Sequence, residues 1–160
     1  MKPTSIVLAT ALLVAPLVAA AGATHRSAEE TANLARVERT FADWSTGRGS
    51  LFDLLSPDAT WTILGPTPSA GTYDRVALQR DVLTPFNVRL ASPLVPEVRR
   101  LYADGDTVVV LFEASATLRD GGRYENSYAW FLRLRDGLVV EVTAVLDLHA
   151  YDAAVEAPVQ

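Results

Sequence analysis

Asn126 and Tyr128 stand two residues apart in a β-rich run, so alternation puts their side chains on one face. A tyrosine hydroxyl donates and accepts, and an asparagine offers both a carbonyl and an amide. Together they can hold a ligand carbonyl, or polarise it as an oxyanion-hole pair does. The same groups can instead bond each other or a loop backbone as part of a core. Asp147, near the end of the next run, is either a structural carboxylate or a group at a pocket mouth, where it can act as a general base. Tyr73, in a Gly/Pro/Ser-rich region, can seal a pocket and donate to its ligand.

Other chemistries are excluded by what the chain lacks. With no cysteine there are no disulfides, thiolate nucleophiles or Cys-ligated metals. The two histidines, His25 and His149, lie far apart with no carboxylate at ligand spacing, so no metal site and no cofactor is expected. There is no Walker loop, dinucleotide fingerprint or Gly-x-Ser-x-Gly elbow. A net charge of −5 argues against nucleic acid as a partner, since phosphate binding needs a basic face.

The elements that must carry these residues follow from periodicity. At 160 residues, 49% of them hydrophobic, the chain suits one domain with a real core. Ser27-Ala28-Glu29-Glu30 is a capping box, and Leu34, Val37, Phe41 and Trp44 follow at helical spacing. Ser50-Leu51-Phe52-Asp53 predicts a second, short helix, and Ala59 to Leu64 a strand. Asp74 is read as the cap of a third helix that runs to Thr84 and is stopped by Pro85. Four β-rich runs come next: Val95–Ala103, Thr107–Leu118, Tyr124–Arg135 and Leu138–Leu148. Asp-Gly pairs separate them and supply the positive φ that tight hairpins require. Helices first and an antiparallel meander after give an α+β class. The tail after Tyr151 carries no turn chemistry.

Three features together carry a family resemblance: Phe41-Ala42-Asp43-Trp44 at the end of the first helix, Pro57-Asp58-Ala59-Thr60-Trp61 leading to Ala70-Gly71-Thr72-Tyr73, and the hairpin from Tyr124 through Asp136-Gly137 to Asp147. The chain resembles the SnoaL-like branch of the nuclear-transport-factor-2-like (NTF2-like) superfamily, which also hosts ketosteroid isomerases, polyketide cyclases and limonene-epoxide hydrolases. The resemblance implies a cone, with N-terminal helices packed in a strongly curved antiparallel sheet around a blind apolar pocket. It places the Asn126/Tyr128/Trp130 face toward that pocket, with Trp44, Trp61, Ile63, Tyr73, Phe112, Ala114 and Ala144 as further ligand-binding positions. It also implies a homodimer through the outer sheet face, with which Phe131 and Val145 agree.

The departures from the family matter as much. The cyclases carry an acid/base aspartate at the position matching Ala144. The epoxide hydrolases add an arginine and a second aspartate, matching Phe112 and Ala114, and the isomerases use an aspartate near Ile63. All four positions are apolar here. The resulting expectation is a binder of a small, mostly apolar molecule. Its rival is an isomerase, cyclase or hydrolase in which Tyr128, Asn126, and Asp147 or Tyr73 act catalytically.

Residues 1–23 read as an export signal. Lys2 is the only charge, an apolar run extends from Ile6 to Val18, and Ala21-Gly22-Ala23 has the small-x-small form of a cleavage site. Pro16 and Thr10 interrupt the run, which falls short of the roughly 20 residues of a membrane span. The expected location is periplasmic or secreted, with residues 24–160 as one domain and no membrane partner after cleavage.

Overall fold

Ser27 caps helix α1 (Ala28–Ser45) as its capping box requires. Its hydroxyl accepts the Glu30 amide at 3.0 Å, and the Glu30 carboxylate accepts the Ser27 amide at 2.6 Å. The computed structural model describes residues 26–157, so the export signal read over residues 1–23 lies outside the described residues. Val37 and Phe41, four residues apart on one helix face, are buried, and α1 packs across strands β3 (Val95–Asp104) and β4 (Thr107–Thr117).

A 3-10 turn (Leu51–Leu54) leads into β1 (Leu55–Ile63). That strand begins four residues before the alternation signals it, and Pro57 falls where its register with the strand Leu138–Leu146 shifts, a place where a missing amide disturbs no ladder. Gly71–Asp74 forms a short strand, β2, instead of continuing the loop; it pairs antiparallel with β1, Trp61 opposite Tyr73.

Asp74 does cap the next helix, accepting the Ala77 amide at 2.7 Å. The helical path then runs through Pro85, in three segments: α2 (Arg75–Ala77), a π-helical stretch (Leu78–Leu83) and α3 (Thr84–Asn87). The π turn, in which the Thr84 amide donates to Gln79, restarts the α register at Thr84. Pro85 therefore sits in a first turn, where its missing amide disturbs no helical bond.

The meander of the second half is present: β3, β4, β5 (Arg123–Arg135) and β6 (Leu138–Leu146) pair antiparallel in sequence. At the β5–β6 turn both Asp136 (φ 53°) and Gly137 (φ 77°) are left-handed, as a two-residue hairpin demands. The full sheet order is β2-β1-β6-β5-β4-β3, with β1 and β6 parallel, so the expected antiparallel sheet is a mixed one. β6 stops at Leu146, two residues before the predicted end. Asp147 accepts the amides of His149 and Ala150 at 3.0 and 3.2 Å and caps α4 (Leu148–Glu156). The tail thus docks as a helix. Tyr151 donates to the carbonyl of Val82 at 2.9 Å, and Arg89 to that of Val155 at 2.7 Å.

Even-numbered residues of β4 and β5 face inward and are buried almost without exception. Among the odd-numbered residues on the outer face, Glu113 pairs with Arg99 at 2.6 Å and Arg133 with Glu141 at 2.6 Å. The β3–β4 register brings Glu97 opposite Glu113 and so puts Arg99 within its reach.

Candidate ligand cavity

The inner face of the sheet, the end of α1, the helical stretch 75–87, the 3-10 turn, the segment 90–95 and α4 border a cavity of about 1090 Å³ that is open to solvent on one side. This is slightly above the range of roughly 300–1,000 Å³ common for small-molecule sites. Six of the positions singled out in the sequence border it: Trp44, Trp61, Ile63, Tyr128, Trp130 and Ala144. Three of them form one aromatic wall. Trp44 stacks on Trp130 at 5.9 Å and 16°, and Trp61 meets Trp130 edge-on at 4.9 Å and 83°. From the helical side Leu78, Val82 and Phe86 complete the lining, and from α4 Leu148 and Tyr151.

Five other expected positions, Tyr73, Phe112, Ala114, Asn126 and Asp147, do not border it. Phe112 lies flat beneath Tyr128, ring centroids 4.6 Å apart and planes 7° apart, while Phe41 packs on it edge-to-face at 5.0 Å. Both flanks of Phe112 are therefore taken by core. Ala114, further along β4, lies on a separate surface cleft beside Glu113, Glu125 and Asn126. Tyr73 is drawn into the β1–β2 ribbon opposite Trp61, and its hydroxyl donates to the carbonyl of Ser69 at 3.0 Å. Burial pushes its phenol above the ordinary range.

Asn126 points inward but its amide is fully engaged. Its nitrogen donates to Asp147 O at 2.8 Å and to the Tyr124 hydroxyl at 2.9 Å, and its oxygen accepts the Asp147 amide at 3.0 Å. Asp147 turns its own carboxylate to the start of α4, because two unpaired helix amides lie there. The sequence leaves open a structural or a chemical role for both; their geometry here is that of backbone anchors.

Of the polar groups singled out in the sequence, Tyr128 borders the cavity, which Gln79, Asn87 and Tyr151 also line. The hydroxyl of Tyr128 bonds that of Tyr124 at 2.7 Å. Burial holds its phenol, and that of Tyr151, far above the ordinary range, so both are neutral hydroxyls. Of the carboxylates, Asp53 borders the cavity at its exposed rim and is occupied with the Ser50 amide at 2.8 Å. Arg75 stands at the same mouth and donates to the Leu55 carbonyl at 2.6 Å. Trp130, 6% exposed, has an indole N–H without an acceptor. Among the described residues no three His, Cys, Asp or Glu side chains gather as metal ligands, and no helix is long and apolar enough to cross a membrane.

Sequence reasoning passed over Tyr124, Tyr151 and Arg75. The parity of Tyr124 with Asn126 and Tyr128 was readable, whereas nothing local places Tyr151 over a cavity made by distant elements.

A family model described as SnoaL-like domain matches residues 37–142. No curated protein matches the chain. Among solved structures, Bal32a from a soil-derived mobile gene cassette is similar at a TM-score of 0.64 and 20% identity, covering 80% of this chain and 99% of its own. A candidate SnoaL-like polyketide cyclase from Jannaschia sp. CCS1 has a TM-score of 0.61 at 22% identity, covering 84% and 99%. TerC, co-crystallised with polyporic acid, has a TM-score of 0.61 at 19% identity, covering 79% and 99%. At such identities the likeness establishes the fold, an α+β NTF2-like architecture with a curved, unclosed sheet.

Proposed function

Since the chain belongs to the SnoaL-like domain family, whose fold serves unrelated chemistries, we propose from its own cavity that it binds a small, mostly apolar molecule between the sheet and α4. The observation that carries this reading is the wall itself. Trp44, Trp61 and Trp130 face a space that no carboxylate enters beyond the rim. Transfer of an apolar ligand into such a space is favoured by about 25 cal/mol for each Å² removed from water. The co-crystal of TerC is support for a small organic ligand in this fold.

The protein is exported, on this reading, to the periplasm or the medium, with residues 1–23 removed. It pairs with a second copy through the outer sheet face, where Phe131 and Val145 are 42% and 40% exposed. Native mass spectrometry of protein purified from its own host tests location and ligand together. The expected spectrum shows a chain starting at Thr24 and carrying a small organic mass that is lost on denaturation. The variant A144W, which adds an indole at the cavity wall, is expected to weaken binding of 2-isopropenylnaphthalene. Failure of the wild-type protein to bind this or any comparable aromatic would overturn the proposal.

A second reading, a ketosteroid-isomerase-like enzyme, draws on one observation: Tyr128 is a neutral hydroxyl in the cavity wall, able to polarise a carbonyl. Y128F separates the two readings. Turnover of an enone or epoxide lost with affinity kept supports the enzyme; affinity reduced with no turnover of any substrate supports the binder.

A further inference from the structure

Arg75 is the one cation that borders the cavity among the described residues, and it stands at the mouth. A guanidinium carries five N–H donors in a rigid fork. One of them, on Nη1, donates to the carbonyl of Leu55 at 2.6 Å, where the 3-10 turn passes into β1. That bond tethers the group at the rim and leaves its Nε–Nη2 edge without a partner. This is the edge on which a carboxylate accepts two parallel bonds. The other charges nearby are spent. Arg80, five residues on, holds both oxygens of Asp81 at 2.6 Å. Asp53, the one carboxylate at the rim, accepts the amide and hydroxyl of Ser50 at 2.8 and 3.3 Å, and no ion pair joins it to Arg75. Behind Arg75 the lining turns apolar, through Leu78 and Val82 to the three tryptophans. A hollow that is greasy within and carries one unmatched positive charge at its opening has the polarity of a site for an amphiphile.

We infer that the cavity takes an amphiphilic acid: an apolar body lies against the tryptophans, and a carboxylate at the mouth accepts two hydrogen bonds from Arg75. The inference rests on the reading of the cavity as a binding site and adds the chemical class of the ligand and the end by which it is held. With a net charge of −5, the distant charges of the chain oppose an anion. Selection of the acid therefore comes from contact with Arg75 and not from long-range steering. A lysine at this position would supply the charge without the paired donors.

The test uses 2-naphthylalkanoates with one, three and five methylenes, each beside its primary amide, which keeps the shape and removes the charge. All are titrated calorimetrically at pH 7 into wild-type, R75Q and R80Q protein. At the chain length that lets the naphthyl ring reach the tryptophans, the acid is expected to bind the wild type about 2- to 12-fold more tightly than the amide, the range of one net hydrogen bond. In R75Q the ratio falls to one or below, while affinity for the amide and for 2-isopropenylnaphthalene holds. R80Q, altered in the neighbouring cleft that Arg75 also borders, keeps the wild-type ratio. A second measurement needs no variant: the carboxyl of the bound acid, labelled with carbon-13, is titrated by NMR. Beside a guanidinium it ionises at lower pH than in the free acid, whereas an apolar cavity without that contact drives it higher. A ratio of one at every length, a preference that survives R75Q or vanishes in R80Q, or a carboxyl raised on binding overturns the inference and leaves the binding cavity standing. If no compound binds, the cavity reading falls and the inference with it.

Discussion

Asn126 and Asp147 are joined twice: the side-chain amide of one bonds both the carbonyl and the N–H of the other, at 2.8 and 3.0 Å. An asparagine paired with a peptide in this way behaves as an extra rung of the sheet, placed where β6 ends and α4 begins. The Asp147 carboxylate then caps that helix, so one residue passes direction from strand to amide on its backbone and from strand to helix on its side chain. Replacing Asn126 by leucine leaves the Asp147 N–H and carbonyl and the Tyr124 hydroxyl each short of a partner. Asp147 is exposed and Tyr124 keeps its bond to Tyr128, so the expected loss is about 1–3 kcal/mol in all, measured by urea denaturation. Unchanged stability in N126L would show the double bond to be dispensable.

The buried tyrosines predict an alkaline limit. Burial raises the phenols of Tyr124, Tyr128 and Tyr151. In the unfolded chain each ionises near the ordinary value of about 10, whereas the folded chain keeps its protons. Above that pH the unfolded state holds fewer protons, so stability falls as pH rises, by up to about 1.4 kcal/mol per unit for each such tyrosine. Below it these residues contribute no pH dependence. Denaturation midpoints at several pH values from 8 to 11 check this, with Y128F expected to give a shallower decline than the wild type. Parallel curves for the two proteins would contradict the burial assigned to Tyr128.

Tyr151 ties α4 to the π-helical stretch through the Val82 carbonyl, and both residues border the cavity. Y151F removes the donor and leaves that carbonyl buried. The expected cost is about 1–3 kcal/mol. Amide exchange is expected to accelerate in α4 and to stay slow in β4 and β5, because α4 loses a tether while the meander keeps its ladders. Uniform acceleration throughout the chain would mean that α4 is part of the global unit and not a cover upon it.

Much of this architecture was legible because local chemistry decided it. The capping box at Ser27, the Asp-Gly turns and the strict alternation of β4 and β5 are specified by neighbours in sequence, and the structure follows them. What escaped was decided at a distance. Leu146 and Leu148 continue the alternation of β6, yet Asp147 finds two helix amides to accept, and the chain turns out of the sheet. Pro85 reads as a stop until the π turn before it moves it into a first turn. The cavity divides its candidates in the same manner. Parity correctly puts Phe112, Asn126 and Tyr128 on the inner face, but parity does not tell which inward side chain is covered by another. Phe112 is covered by Tyr128 itself, and Asn126 is engaged by a peptide 21 residues away.

The outer sheet face predicts the oligomeric state. Tyr102, Val109, Phe131 and Thr143 lie side by side across four strands, and Arg100, Leu111, Ala129 and Val145 form the next row, with Arg100 on the edge strand. Tyr102, Phe131 and Val145 are each at least 40% exposed. The ion pairs Arg99–Glu113 and Arg133–Glu141 stand on the same face to either side of these rows. An apolar centre with a charged rim is the anatomy of a protein interface, and in the proposed dimer a second copy would bring the same pattern to it. F131R puts a charge at the centre of the patch while leaving the inner face untouched. Sedimentation velocity is expected to show dimer for the wild type at micromolar concentration and monomer for F131R. Monomer stability should stay within about 0.5 kcal/mol, as for an exposed position. A wild-type protein that sediments only as monomer would rule out the dimer, and the apolar rows would need another cover.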